Sequence, residues 1–137
     1  MRIVCDTNVL VSAVVYGGLP REVLATLITG RTRGFISPAL AREFREVLGR
    51  PKFALTEPQV DSICAALRDL LDPVYPKAEV RVIKEDPDDN AVLSCALEAG
   101  ADCIVTGDHH LLALGRYQDI EVLRPSEFLE RLGGSSK

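Results

Sequence analysis

The sequence predicts an α/β fold in which helices cover both faces of a central, mostly parallel sheet of about five strands. Three observations favour this class. Short apolar runs alternate along the chain with longer segments whose apolar residues recur at helical spacing. Proline and glycine mark the junctions between these segments. Strand–helix–strand units of this kind join parallel strands by right-handed crossovers, so the predicted architecture is a three-layer α/β/α sandwich.

The strands are predicted from short apolar runs bounded by polar or turn-forming residues, which is typical of strands buried on both faces of a parallel sheet. In chain order they are residues 2–5, 35–37, 80–83, 103–106 and 120–123.

The helices are predicted from apolar periodicity and from residues that begin or end a helix. Ser37 and Thr56 can each accept a backbone hydrogen bond at a helix start, and a proline follows each within the first turn. Gly30 and Gly100 end two other helices. The predicted helices span residues 7–15, 20–29, 38–48, 57–71, 89–98 and 125–132.

Length and composition predict one domain, because 137 residues fit a single core of common size. We assign residues 1–132 to this domain and residues 133–137 to a flexible C-terminal tail. The four cysteines include no CxxC pair and are predicted to be reduced. The sequence has no apolar run of about 20 residues and begins with a strand pattern, so we expect a cytoplasmic protein without a membrane partner.

The charge distribution favours a polyanionic substrate. The net charge of −4 argues against a general nucleic-acid coat. Residues 31–52 nevertheless hold six basic and two acidic residues, a local charge of +4. A solvated helix face explains Arg42 and Arg45 equally well. The candidate RNA-binding residues are Arg42, Arg45, Arg50 and Lys52.

Acidic residues follow or interrupt apolar segments at several places. Asp6 comes directly after a predicted strand, Asp108 lies two residues after the end of another, and Glu43 lies at the edge of a helical apolar stripe. Asp86 and Asp89 lie near the start of the helix at residues 89–98. The carboxyl ends of parallel strands meet at one edge of a sheet, where ligands bind. Charges are rarely buried without a partner, so the sequence predicts a Mg²⁺ or Mn²⁺ site.

Each acid also has an ordinary explanation. Asp6 or Thr7 could cap the next helix, Asp88 could stabilise a helix N-terminus, and Glu43 could reach solvent. However, carboxylates that lie close together repel one another unless a cation intervenes. A divalent ion held by them could activate water and offset the charge that develops on a phosphodiester.

Four segments, taken together and in this order, resemble the PIN-domain family, especially the VapC-like ribonucleases that are toxin components of bacterial toxin–antitoxin pairs. The segments are IVCDTNVL at residues 3–10, Ser37-Pro38 with Glu43, DPDDN at residues 86–90 and IVTGD at residues 104–108. The resemblance extends from Arg2 to about Leu132.

The resemblance implies a Mg²⁺- or Mn²⁺-dependent endoribonuclease that is often dimeric, is inhibited by a small antitoxin protein, and leaves a 5′-phosphate and a 3′-hydroxyl. It assigns the catalytic and metal-binding roles to Asp6, Glu43, Asp89 and Asp108, with Asp86 as a further candidate ligand. It assigns supporting roles to Thr7, Asn8, Asn90 and Thr106.

The chain departs from the family pattern after Asp108, where the family often has another acidic residue two places on. This chain has His109 and His110. Either could bind metal or transfer a proton, but neighbouring residues on a helix point about 100° apart, so we expect at most one to reach a given ion.

Other classes fit less well. An aspartyl-phosphate phosphatase would need a second Asp where Asn8 stands, and the glycine fingerprint of dinucleotide-binding domains is missing. The alternative that stays open is a catalytically silent PIN-like module that binds RNA or protein.

Overall fold

The computed structural model describes residues 1–78, 80–83 and 87–134, and within them six strands form one sheet. The sheet order is β3-β2-β1-β4-β6-β5, with β5 antiparallel to β6 and all other pairs parallel. The predicted class is confirmed, with six strands instead of five. The strands are β1 Arg2–Cys5, β2 Arg33–Ile36, β3 Asp72–Pro73, β4 Cys103–Val105, β5 Arg116–Tyr117 and β6 Ile120–Leu123.

Seven α-helices flank the sheet in the described part of the chain, as expected of an α/β/α sandwich. A short 3₁₀ turn at Pro51–Phe53 joins the third and fourth helices. The helices are α1 Thr7–Val15, α2 Gly18–Ile28, α3 Pro38–Leu48, α4 Glu57–Leu70, α5 Pro87–Ala99, α6 His109–Leu114 and α7 Pro125–Gly134.

The capping residues behave as predicted. The Ser37 hydroxyl accepts a hydrogen bond from the Leu40 N–H at 3.3 Å, and Thr56 forms a reciprocal capping box with Gln59. Helix α7 continues to Gly134, two residues beyond the predicted end of the domain. Residues 135–137 of the predicted tail lie outside the described residues.

The predicted strand at residues 80–83 is wrong. The Val80 N–H donates to the Ser94 hydroxyl at 3.1 Å, and the Ile83 N–H donates to Asn90 Oδ1 at 2.8 Å. Side chains of α5 therefore take the backbone hydrogen bonds that a neighbouring strand would have supplied. The sheet gains instead the two-residue strands β3 and β5, which the apolar pattern did not predict.

The core is centred on β1 and β4, where Ile3, Val4, Ile104 and Val105 are fully buried. All four cysteines are free, as predicted. Burial raises the pKa of the Cys5, Cys95 and Cys103 thiols to about 12, which suppresses their reactivity.

No single helix in the described ranges is long and apolar enough to cross a membrane. Helices α1 and α2 reach that length and composition only as a pair, and the pair is bent by 99°.

Candidate metal centre

Asp6 and Asp108 lie at the same edge of the sheet because β1 and β4 are parallel neighbours, with Cys5 opposite Val105. The Asp6 N–H donates to the Val105 carbonyl at 2.9 Å. One hydroxyl then joins the two acids, since Thr106 Oγ1 donates to Asp6 Oδ2 at 2.8 Å and accepts from the Asp108 N–H at 2.9 Å. Thr106 is fully buried, so both strand ends are fixed by this contact.

Asp89 approaches from the first turn of α5 and is only 4% exposed. Its carboxyl is near that of Asp108. His110 lies beside both acids, with Nδ1 at 3.7 Å from Asp89 Oδ2 and 3.9 Å from Asp108 Oδ1. One ligand atom from each of the three side chains lies within 4.8 Å of the others. The group thus has the size of a metal-binding cluster.

Glu43 approaches from α3, half-buried on the flank of the stripe formed by Leu40, Phe44 and Val47. Burial raises the pKa of its carboxyl to about 7, and the negative charges of Asp88 and Asp6 add to the rise. Thr7 lies close enough to lower this pKa in part, although its hydroxyl falls short of hydrogen-bond geometry. Glu43 therefore faces the Asp6 side of the cluster.

The pKa values of the two strand-end acids shift in opposite directions. Burial raises the pKa of Asp6, and the nearby charge of Asp108 contributes to the rise. Burial would also raise the pKa of Asp108, but hydrogen bonds from Asp89 and from the backbone N–H groups of Leu111 and His110 outweigh it and lower that pKa. Of the two strand-end acids, Asp6 is therefore the one whose charged form is disfavoured, chiefly by burial.

A cation suits this arrangement. Asp6 and Asp89 are each 4% exposed, and close carboxylates cannot all ionise cheaply without a positive partner. The Thr7 hydroxyl and His110 Nδ1 are buried without a hydrogen-bond partner among the described residues. Oxygen-rich sites of this kind are those that Mg²⁺ and Mn²⁺ prefer. The residues present therefore fit a divalent ion.

The structure brings together Asp6, Glu43, Asp89 and Asp108, with Thr7 and Thr106 beside them. It places other predicted residues elsewhere. Asn8 is exposed at the start of α1, and the Asn90 amide binds both the N–H and the carbonyl of Ile83. Asp86 lies outside the described residues.

Asp88 is a residue that the sequence analysis treated as a helix-start acid. It interacts with Glu43 and raises the pKa of that side chain. Its position next to Asp89 in the DPDD run is the sequence feature that could have identified it as part of the site. Asp108 also caps α6, because its Oδ1 accepts from the backbone N–H groups of His110 at 2.8 Å and Leu111 at 3.2 Å.

Three of the four predicted RNA-binding residues have partners within the protein. Arg45 forms an ion pair with Asp61, Arg50 lies 3.5 Å from Glu46, and the Lys52 ammonium lies 5.1 Å from the centre of the Phe53 ring. These surface contacts are weak and leave the side chains exposed.

Arg42 is different because it lines a cavity of about 710 Å³ between α3, residues 76–78 and 80–83, and α5. The cavity does not contain the acids, but Glu43 follows Arg42 and Asp89 precedes the lining residue Asn90. Lys77 and Arg81 also line it, so three basic side chains border the described part of the cavity.

Comparison with known proteins places this geometry in context. The profile of the PIN domain matches residues 2–110. A search of curated proteins found no match. Among solved structures, VapBC2 from Rickettsia felis bound to a DNA fragment from its promoter matches with a TM-score of 0.62 and 15% sequence identity, over 89% of this chain and 97% of that chain. At this identity the likeness shows the fold alone.

Proposed function

We propose that this chain, which belongs to the PIN-domain family, hydrolyses RNA phosphodiester bonds as a Mg²⁺- or Mn²⁺-dependent endoribonuclease. The observation that carries the proposal is the convergence of Asp6, Glu43, Asp89 and Asp108 from four separate elements onto one edge of the sheet. Acids so far apart in sequence meet only in the folded chain. A purely structural role leaves their mutual repulsion unexplained.

The roles of the side chains follow from their positions. Asp6, Asp89 and Asp108 would hold the metal, which supplies an activated water and offsets charge on the phosphate. Thr106 fixes the carboxylate of Asp6 relative to Asp108. Glu43 approaches from α3, where it would complete the metal site or orient the attacking water by accepting its hydrogen bond.

The substrate is proposed from charge. Arg42, Lys77 and Arg81 line the cavity, and Arg42 directly precedes Glu43 on α3, so these basic side chains would suit the phosphates that flank a scissile bond. Arg42 forms no ion pair with any described residue, so its guanidinium is available for this role.

The biological role is proposed from the family. We propose that the chain is the toxin of a toxin–antitoxin pair, acts on RNA in the cytoplasm, is inhibited by a small antitoxin protein, and forms a homodimer or a higher homo-oligomer. One solved structure that shares its fold is a complex named VapBC2. Co-purification with the product of a neighbouring small reading frame, followed by light scattering of the protein alone, tests partner and dimer separately.

The decisive experiment measures cleavage of a 5′-labelled RNA with Mn²⁺, with Mg²⁺ and with a chelator. We expect metal-dependent cleavage by the wild type, and a loss of roughly 100-fold or more in Asp6→Asn if Asp6 binds the catalytic ion. Asp119→Asn, which changes an exposed turn residue, serves as the matched control and should cleave at the parent rate.

The product ends test the chemistry independently. Hydrolysis by an activated water leaves a 5′-phosphate and a 3′-hydroxyl, whereas a 2′,3′-cyclic phosphate would mean that the RNA's own hydroxyl attacked. RNA binding without cleavage, unchanged by metal, would favour the alternative of a catalytically silent module.

A further inference from the structure

We infer that His110 is a metal ligand alongside Asp89 and Asp108, so that the site has a mixed oxygen and nitrogen donor set and prefers Mn²⁺, Co²⁺ or Zn²⁺ to Mg²⁺. The inference rests on the proposed function, because it deepens the description of the same metal site. It concerns the position at which this chain departs from the acidic pattern of its family, where His110 stands two residues after Asp108.

The surroundings of His110 Nδ1 suit a metal ligand. His110 Nδ1 is inaccessible to solvent and has no hydrogen-bond partner among the described residues. Its distances of 3.7 Å to Asp89 Oδ2 and 3.9 Å to Asp108 Oδ1 exceed hydrogen-bond length. Ligands about 2.1 Å from an octahedral ion lie about 3.0 Å apart when adjacent and about 4.2 Å apart when opposite. The two observed separations lie between these two values, and all three ligand atoms lie within 4.8 Å of one another, so a bound ion would draw them into place by small side-chain rotations.

The start of α6 holds the His110 ring beside the acids. The backbone N–H of His110 donates to Asp108 Oδ1 at 2.8 Å, which fixes the start of α6 against one of the two acids. His109 is exposed and its ring contacts that of His110, with ring centres 4.1 Å apart, whereas the distances below 4 Å to Asp89 and Asp108 belong to His110. His110 is therefore the histidine that reaches the acids, and His109 is a matched control on the same turn.

The donor set predicts the metal preference. Mg²⁺ takes oxygen ligands almost exclusively, whereas imidazole nitrogen suits first-row transition metals. An alternative role for His110 is electrostatic, as a protonated partner of the two acids. The two roles predict different effects of removing the His110 ring on Mg²⁺ binding. If the ring is a ligand that Mg²⁺ does not use, the Mg²⁺ affinity stays nearly unchanged. If the ring is a competing positive charge, its removal strengthens Mg²⁺ binding.

The test is calorimetric titration of Mn²⁺ and of Mg²⁺ into the metal-free wild type, His110→Ala and His109→Ala. We expect His110→Ala to weaken Mn²⁺ binding roughly 10- to 100-fold while Mg²⁺ affinity changes by less than about threefold. His109→Ala should change neither affinity. Equal weakening of both ions, unchanged Mn²⁺ affinity, or stronger Mg²⁺ binding by His110→Ala would each overturn the inference.

A second measurement uses only the wild type and so does not depend on the variant folding. Long-range ¹H–¹⁵N spectra of the histidine rings are recorded before and after addition of Zn²⁺, a diamagnetic probe. We expect the Nδ1 resonance of His110 to move to the position of a metal-bound nitrogen while His109 stays unchanged. If His110 does not respond although Zn²⁺ binds, the inference is wrong.

The outcomes separate this inference from the proposed function. If the wild type binds Mn²⁺ and cleaves RNA but His110→Ala binds Mn²⁺ equally well, only the role of His110 fails. If the wild type binds neither ion, the proposed nuclease fails with it.

Discussion

Glu43 is the side chain whose protonation should respond most visibly to pH in the metal-free protein. Its pKa is raised to about 7 from an ordinary 4.5, chiefly by burial. The folded protein therefore retains a proton between these two pH values that the unfolded chain has already released. A raised carboxyl pKa stabilises the folded state at low pH, and this contribution is lost as the pH rises from about 4.5 through about 7.

We expect Glu43→Gln to be more stable relative to the wild type at pH 8 than at pH 5, because glutamine never ionises. Urea unfolding midpoints in the presence of a chelator measure the difference at each pH. Glu46→Gln, on the exposed side of the same helix, is the matched control, and its difference should vary less because solvent screens that carboxylate. A Glu43→Gln difference that is the same at both pH values would contradict the prediction.

At the scale of single residues, the sequence predicted the site positions of side chains that lie at or just beyond a strand end. Asp6 and Asp108 were identified because parallel strands end at one edge, and Thr106 because it belongs to the IVTGD segment that resembles the PIN-domain family. Asn90 was assigned a supporting role because it belongs to the DPDDN run. Its amide instead binds the Ile83 backbone, a contact that depends on a segment brought to α5 by the tertiary fold.

At the scale of elements, the incorrect prediction of a strand at residues 80–83 also reflects contacts that only the tertiary fold brings about. Val80, Val82 and Ile83 form an apolar run that resembles a strand, but strand formation also needs a free sheet edge. The edge beyond β2 is occupied by β3, whose two residues include a proline and lack an apolar pattern. By contrast, α1 and α3 were predicted with their observed bounds, because periodicity and capping are local properties.

The contact between α5 and residues 80–83 gives a prediction for an element. Asn90→Ala removes the acceptor of the Ile83 N–H and the donor to the Ile83 carbonyl, so this segment should open more readily. Hydrogen exchange should show the Ile83 amide exchanging roughly tenfold faster or more, which corresponds to the loss of about 1.4 kcal/mol of protection.

Ser94→Ala is the matched control, because Ser94 accepts from Val80 rather than from Ile83. We expect it to accelerate exchange of the Val80 amide and to have a smaller effect on Ile83. Unchanged exchange at Ile83 in Asn90→Ala would show that other contacts hold the segment to α5.

At the scale of the whole molecule, the acidic cluster links segments that are far apart along the chain. Asp6 follows β1, Glu43 lies on α3, Asp89 on α5, and Asp108 follows β4. The arrangement was predictable from the sequence because α/β topology brings strand ends together, whereas the approach of Glu43 and Asp88 required knowledge of how α3 packs beside α5. A metal bound by all four elements would bind only the folded chain, so its binding free energy would add to stability.

This linkage predicts opposite effects of Asp6→Asn with and without metal. In a chelator at pH 7 the variant should be at least as stable as the wild type, because asparagine removes a buried charge and its amide oxygen can still accept from Thr106. With Mn²⁺ at about 100 times its dissociation constant, the wild type should gain about 2.7 kcal/mol. That gain corresponds to a rise of roughly 10 °C in the unfolding midpoint.

Differential scanning calorimetry of the wild type, Asp6→Asn and the surface control Asp119→Asn, each with and without Mn²⁺, measures the effect. Asp119→Asn should keep the full rise, whereas Asp6→Asn should lose most of it because the cluster then lacks its most buried strand-end ligand. If Mn²⁺ raises the midpoint of Asp6→Asn as much as that of the wild type, the ion binds elsewhere on the molecule. In that case the crowding of the acids at this edge of the sheet would have to be explained without a metal.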